Sequence, residues 1–139
     1  MSAESYLNEM FGLKGQVAVV IGGAGVLGSA MCRGLARAGA HVVVADVTEA
    51  ACTSCVDQIK EMGCAASGLV IDVTSRSSIE AVLAKAREIT GRVNILLNCA
   101  GVNHGSDFLD HPEEKWDFVM SINLKGVFLA CQVFGKHMV

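Results

Sequence analysis

Proline is almost absent from this sequence: Pro112 is the only one in 139 residues. Helices and strands can therefore run without the breaks that a missing N–H imposes, and proline-rich extended segments are excluded. Aromatic residues are scarce too, at 5%, with one tyrosine at Tyr6 and one tryptophan at Trp116. A surface that stacks successive bases needs more of them. Neither sign of charge prevails: 11 Lys and Arg stand against 14 Asp and Glu, for a net charge of −3. That balance gives no electrostatic footing for nucleic acid or for an anionic membrane.

No apolar run approaches the ~20 residues that span a bilayer, so no membrane partner is expected. The stretch from Met1 to Phe11 holds Glu4 and Glu9 but no Lys or Arg. The basic start of a signal peptide is missing, and a cytoplasmic location is expected. The six cysteines (Cys32, Cys52, Cys55, Cys64, Cys99 and Cys131) lack metal-site spacing, because Cys52-x-x-Cys55 has no second pair. They read as reduced thiols that pack like small hydrophobes. His104, Asp107, Asp110 and His111 read as solvated loop residues, with substrate contact as the alternative. No metal site is expected.

What is present is an alternation. The chain is 52% hydrophobic, enough to build one domain, residues 1–139, around a real core. Gln16–Ile21 is short, continuous and β-branched and reads as a buried strand; His41–Ala45 reads as the second, Ala66–Val73 contains a third centred on Leu69-Val70-Ile71, and Val93–Leu97 reads as the fourth. Helical spacing fills the intervals. Leu27, Ala30, Met31, Leu35 and Ala38 form the first stripe, with Arg33 and Arg37 opposite. Ala51, Cys55, Ile59 and Met62 form the second, capped by Thr48. Ile79, Val82, Leu83, Ala86 and Ile89 form the third, capped by Thr74 or Ser75.

A long helical region follows from Pro112, placed in a first turn, to the end, with a break near Ser121. Leu124, Val127, Phe128 and Cys131 make one stripe there, widened by Leu129, Val133 and Phe134, so burial on two sides is expected. Alternating strands and helices predict an α/β fold: a Rossmann-like, doubly wound parallel sheet with strand order 3-2-1-4 and right-handed crossovers.

Between the first strand and first helix lies Gly22-Gly23-Ala24-Gly25-Val26-Leu27-Gly28. Gly23, Gly25 and Gly28 fit G-x-G-x-x-G. The first glycine allows the tight turn, the second admits a pyrophosphate against the backbone, and the third lets helix and strand pack closely. The helix N-terminus offers unpaired N–H groups and partial positive charge. Asp46 stands at the end of the second strand, 18 residues past Gly28. A carboxylate there accepts from the adenosine ribose and repels a 2′-phosphate, which favours NAD over NADP.

Three further stretches, Asp72-Val73, Asn98-Cys99-Ala100-Gly101 and Ser121-Ile122-Asn123-Leu124-Lys125-Gly126, carry a resemblance together with the glycine loop and Asp46. Their order and spacing resemble the classical short-chain dehydrogenase/reductase family, from about Leu13 to Val139. The resemblance implies reversible hydride transfer between a nicotinamide and an alcohol or ketone. It implies that the glycine loop holds the pyrophosphate, with Val26 and Leu27 beside it, and that Asp46 binds the ribose. Asp72 and the Val73 backbone would meet the adenine, while Asn98, Ala100 and Gly101 would brace the sheet and line the cofactor's path. Asn123 matches the family's catalytic asparagine, which holds a water in a proton relay ending at a tyrosine and a lysine.

The sequence departs from the family pattern at Ile21, where threonine is usual, at Val26, where glycine is usual, and at Cys99, where a second asparagine is usual. The form of the glycine loop resembles a branch with mannonate- and fructuronate-type sugar-acid oxidoreductases. No Tyr-x-x-x-Lys occurs. The catalytic serine, tyrosine and lysine are therefore expected beyond Val139, with this chain inactive alone and strand four an open sheet edge. The complete protein is expected to be a homodimer or homotetramer, with the Leu124–Met138 helix at a subunit contact. Two other readings stand beside this one: a non-catalytic nucleotide-binding or interaction module, and, less favoured by the Asn98–Gly101 and Ser121–Gly126 stretches, a methyltransferase.

Overall fold

The computed structural model describes residues 2–139. Four parallel strands form one sheet: β1 (Val17–Ile21), β2 (His41–Asp46), β3 (Ala66–Val70) and β4 (Ile95–Asn98), in the order β3-β2-β1-β4. This is the expected 3-2-1-4 arrangement. In register, Val19 lies against Val43 on one side and Leu96 on the other. β1 is flanked by strands on both edges and covered on both faces, so its five residues are at most 1% exposed.

Strand periodicity divides the core in two. Val17, Val19 and Ile21 point to one face with Val43 and Ala45; Ala18 and Val20 point to the other with Val42 and Val44. The first face is covered by α4 (Arg76–Thr90), through Ile79, Val82 and Ala86, and by the last helix. The second is covered by α2 (Val26–Arg37) and α3 (Glu49–Glu61), through Cys32, Ala36, Cys55, Val56 and Ile59.

Several expectations are corrected. The buried positions of α2 are Gly28, Cys32 and Ala36, whereas Leu27 and Met31 are exposed. Gly28 must sit against the turn before the helix, and that contact sets the helix phase over the apolar stripe. β3 ends at Val70 rather than Val73, because its pairing to β2 runs out at Asp46. β4 starts at Ile95 rather than Val93. Of the two caps expected for α4, Ser75 is the one used, its hydroxyl accepting from the Ser78 N–H.

Pro112 lies just outside the helix it precedes. The break near Ser121 is instead a π-helical turn, Ser121–Gly126, joining α5 (Glu113–Met120) to α6 (Val127–Met138) without interruption. The buried face of α6 is Leu129, Ala130, Val133 and Phe134. Leu124 and Phe128 are exposed. This 26-residue helix, Glu113–Met138, is long and apolar enough to cross a membrane by length and composition. The charges that divide the sequence into short apolar runs do not divide the helix. An unexpected helix, α1 (Ala3–Phe11), opens the chain, with Ser2 as its cap.

Candidate functional site

The loops after β1 and β4 meet at the C-terminal end of the sheet, where this fold places its ligands. Gly22 turns the first loop with φ of 75°. A Cβ on it would lie 2.5 Å from the Ala100 nitrogen, so the glycine both permits the turn and admits the β4 loop. The motif alone assigns that turn to Gly23. Gly23 is instead constrained by packing, since its Cβ would fall 2.7 Å from the Val20 oxygen and 3.2 Å from the Cys32 sulfur. A Cβ on Gly28 would run into the Gly22 carbonyl oxygen, so the first turn of α2 sits directly on the loop.

Gly25 differs from these. Its backbone, φ −68° and ψ 170°, suits any residue, and it starts α2 without a side-chain cap. A Cβ there would meet only the Gly22 oxygen, at an ordinary 3.4 Å. Internal packing does not demand glycine at this position; close approach of a ligand would. The first N–H groups of α2 lack acceptors within the helix, and the dipole adds positive potential. This edge has the donor set that phosphate oxygens need.

Asp46, at the end of β2, is held from two sides. Its Oδ2 accepts from the Ala24 N–H at 2.9 Å and its Oδ1 from the Val47 N–H at 2.8 Å. It lines a cleft of ≈ 250 Å³ together with Gly22, Gly25, Asp72, Val73, Ala100 and Gly101. Asp72 accepts from the Thr74 hydroxyl at 2.7 Å and the Thr74 N–H at 2.9 Å. These bonds, the hydroxyl's first, hold its carboxyl below the ordinary value.

Asn123 lies in the π turn beside the mouth of the cleft. Its Oδ1 accepts from the Val102 N–H at 2.8 Å and its Nδ2 donates to the Val102 carbonyl at 2.9 Å. Asn98 lies outside the cleft lining: its Nδ2 donates to the Cys131 sulfur at 3.5 Å, tying β4 to α6. Val26 and Leu27 are 89% and 72% exposed and do not line the cleft. Cys99 does line it, with its sulfur 3.5 Å from that of Met31. Val47, Ile71, Val102 and Ile122 also line it, and sequence reasoning did not assign them there. All four adjoin an assigned residue in the chain (Asp46, Asp72, Gly101 and Asn123), and adjacency was the only signal available.

His104 and His111 meet edge to face at 5.6 Å, and the Ser106 hydroxyl pairs with His111 Nδ1 at 2.7 Å. Among the described residues, no group of three or more His, Cys, Asp or Glu is placed to hold a metal ion. All six cysteines are free.

The sequence profile of the family described as short chain dehydrogenase matches residues 16–139. An NAD-dependent glycerol dehydrogenase of Listeria innocua serovar 6a is 37% identical over 134 residues, which cover 93% of this chain and 50% of that protein. A 2-dehydro-3-deoxy-D-gluconate 5-dehydrogenase of Escherichia coli K12 is 36% identical over 129 residues, covering 93% of this chain and 50% of that protein. Among solved structures, that of gox2181 superposes with a TM-score of 0.90 at 36% identity, over 96% of this chain and 52% of that one. The chain spans about half the length of the curated relatives it matches.

Proposed function

This chain belongs to the short-chain dehydrogenase family, and from that premise we propose that it is the NAD-binding part of an oxidoreductase acting on a small alcohol or ketone. The bound nicotinamide would supply the hydride chemistry. The chain's own residues bind and orient. Gly22, Gly23, Gly25 and Gly28, with the N-terminus of α2, hold the pyrophosphate, and Val26 and Leu27 flank it. Asp46 takes the adenosine ribose, and Asp72 with the Val73 backbone takes the adenine. Ala100 and Gly101 wall the cofactor's path, and Asn98 fixes β4 beneath them. Asn123 is the one residue of the proton relay carried by this chain.

The observation that carries this reading is the place of Asp46. Its carboxylate is bonded to the glycine loop and faces the same cleft. A negative charge there accepts from a ribose diol and repels a 2′-phosphate. Titration of the protein with NADH and NADPH, followed by nucleotide fluorescence, tests it. NADH should bind the more tightly, and Asp46→Ala should narrow the gap by weakening NADH. An unchanged preference in that variant would remove Asp46 from the role.

The substrate is proposed only as a polyol or sugar acid, which the names of the relatives support, and not as the mannonate/fructuronate branch. Tyr6 does not line the cleft, and no Tyr-x-x-x-Lys occurs in the sequence. The 139-residue chain is accordingly proposed to bind NAD without turnover. A clear NAD-dependent oxidation by this chain, in a screen of polyols and sugar acids, would overturn that. Its exposed Leu124 and Phe128 support a homodimer or homotetramer, and its six free thiols support a reducing, cytoplasmic setting.

A further inference from the structure

Behind the glycine loop lie two thiols that the family pattern does not use. The Cys32 sulfur, on α2, donates to the Gly23 carbonyl oxygen at 3.6 Å, and the Cys55 sulfur, on α3, donates to the same oxygen at 3.5 Å. Both residues are buried, at 0% and 4% exposure. That carbonyl and the Ala24 N–H are the two ends of one peptide unit. A trans peptide is planar, so they point in opposite directions and turn together. The N–H end donates to Asp46 Oδ2 at 2.9 Å. The same peptide is thus gripped from the core by two helices and presented to the carboxylate that faces the cleft.

We propose that Cys32 and Cys55 are positioning residues for nucleotide selection: their S–H groups fix the Gly23–Ala24 peptide, the peptide fixes the Asp46 carboxylate, and the carboxylate selects a ribose diol. The inference rests on the reading of Asp46 as the ribose acceptor. Burial keeps both groups in the form that donates. It pushes the Cys32 thiol up to about 12 and raises that of Cys55, so each retains its proton across the physiological range. Each S–H is a weak donor. Both converge on one carbonyl oxygen, whose two lone pairs can accept them together.

The test compares Cys32→Ala/Cys55→Ala with Cys32→Ser/Cys55→Ser, which restores a hydroxyl donor at each site. Two readouts are taken: hydrogen exchange of the Ala24 amide in nucleotide-free protein, and NADH and NADPH affinity by fluorescence titration. In the alanine variant the Ala24 amide should exchange about tenfold faster and NADH affinity should fall about tenfold, the effect of losing a pair of weak hydrogen bonds. NADPH affinity should move less than about twofold, and the serine variant should return both readouts toward wild type. Loss of packing alone would weaken both nucleotides equally and leave their ratio unchanged.

If the alanine variant melts cooperatively with wild-type Ala24 exchange and an unchanged NADH-to-NADPH ratio, the proposal fails. If the double variant does not fold, single Cys55→Ala carries the same two readouts, with the same results expected and the same results overturning the proposal. If wild-type protein fails to prefer NADH, the reading of Asp46 falls, and the Ala24 exchange still decides whether the thiols hold the peptide.

Discussion

Asn123 grips the Val102 backbone at both ends, accepting from its N–H at 2.8 Å and donating to its carbonyl at 2.9 Å. A residue of the last helix thereby fixes the loop that follows β4, including Gly101, whose Cβ position lies 3.6 Å from Asn123 Oδ1. Both halves of the amide are engaged, so neither alanine nor aspartate can replace it. Asn123→Ala should cost about 1 to 2 kcal/mol, near the lower end because the pair is exposed. Asn123→Asp should cost as much, since a carboxylate oxygen would face the Val102 carbonyl. Urea unfolding measures the loss, and faster exchange of the Val102 amide locates it. Wild-type exchange in the alanine variant would show that the loop is held by something else.

Gly25 and Gly28 should respond oppositely to the same substitution. Gly25→Ala meets no clash and no strained backbone, so the free protein should be unchanged or stabilised by about 0.4 to 1 kcal/mol, while NADH affinity falls. Gly28→Ala drives a methyl into the Gly22 carbonyl and should destabilise the fold by about 1 to 3 kcal/mol or more. Thermal melting with and without NADH separates the two. Full NADH affinity in Gly25→Ala would mean that nothing approaches that backbone.

The pH dependence of stability has an identifiable contributor in His41. Burial, and then the Lys60 charge, hold its imidazole below the ordinary 6.5, and its Nε2 pairs with the Ser67 hydroxyl at 3.0 Å. The folded state keeps the ring neutral where the unfolded chain takes up a proton. Its contribution is therefore complete above 6.5 and is lost as pH falls below that value. Denaturation midpoints measured from about pH 7 down to 5 should fall less in His41→Gln than in wild type. Parallel curves would exclude His41 as the cause.

His137 joins the end of the last helix to the segment that leads into β4. Its Nε2 accepts from the Val93 N–H at 3.0 Å, and Val93 is fully buried. Removing the acceptor leaves that donor without a partner, so His137→Ala should cost about 1 to 3 kcal/mol. His137→Gln, which can still accept, should recover part of it in the same urea titration.

The centre of the sheet is legible in the sequence because β1 and β2 are short β-branched runs, and alternation leaves little choice of topology; β3 (Ala-Ser-Gly-Leu-Val) and β4 (Ile-Leu-Leu-Asn) carry less of that signal, and their bounds shift accordingly. Helix phase is less legible. The stripe through Leu27 and Met31 is as apolar as the one that is buried, and only the contact between Gly28 and Gly22 decides between them. The turn shows the same limit: Gly22 and Gly23 are adjacent and chemically identical, and the close approach of Ala100 to Gly22, from 78 positions away, leaves no mark in the local sequence. Helix α1 did leave a signal, with Ser2 before Tyr6, Leu7, Met10 and Phe11 at helical spacing. The Cys32 and Cys55 thiols left none beyond their apolar setting, since nothing in a sequence shows that two helices aim at one carbonyl.

The π turn at Ser121–Gly126 works as a phase adjuster in a long screw. An α-helix advances 100° per residue, and a π turn accommodates one residue more than the surrounding pitch allows. Within the adjustment Asn123 reaches Val102; downstream of it Ala130 and Phe134 are seated on the sheet. The extra residue sets the phase between these two anchors. Deleting a single residue between Ser121 and Gly126 would leave the helix regular, its composition nearly unchanged, and one of its two ends facing the wrong way.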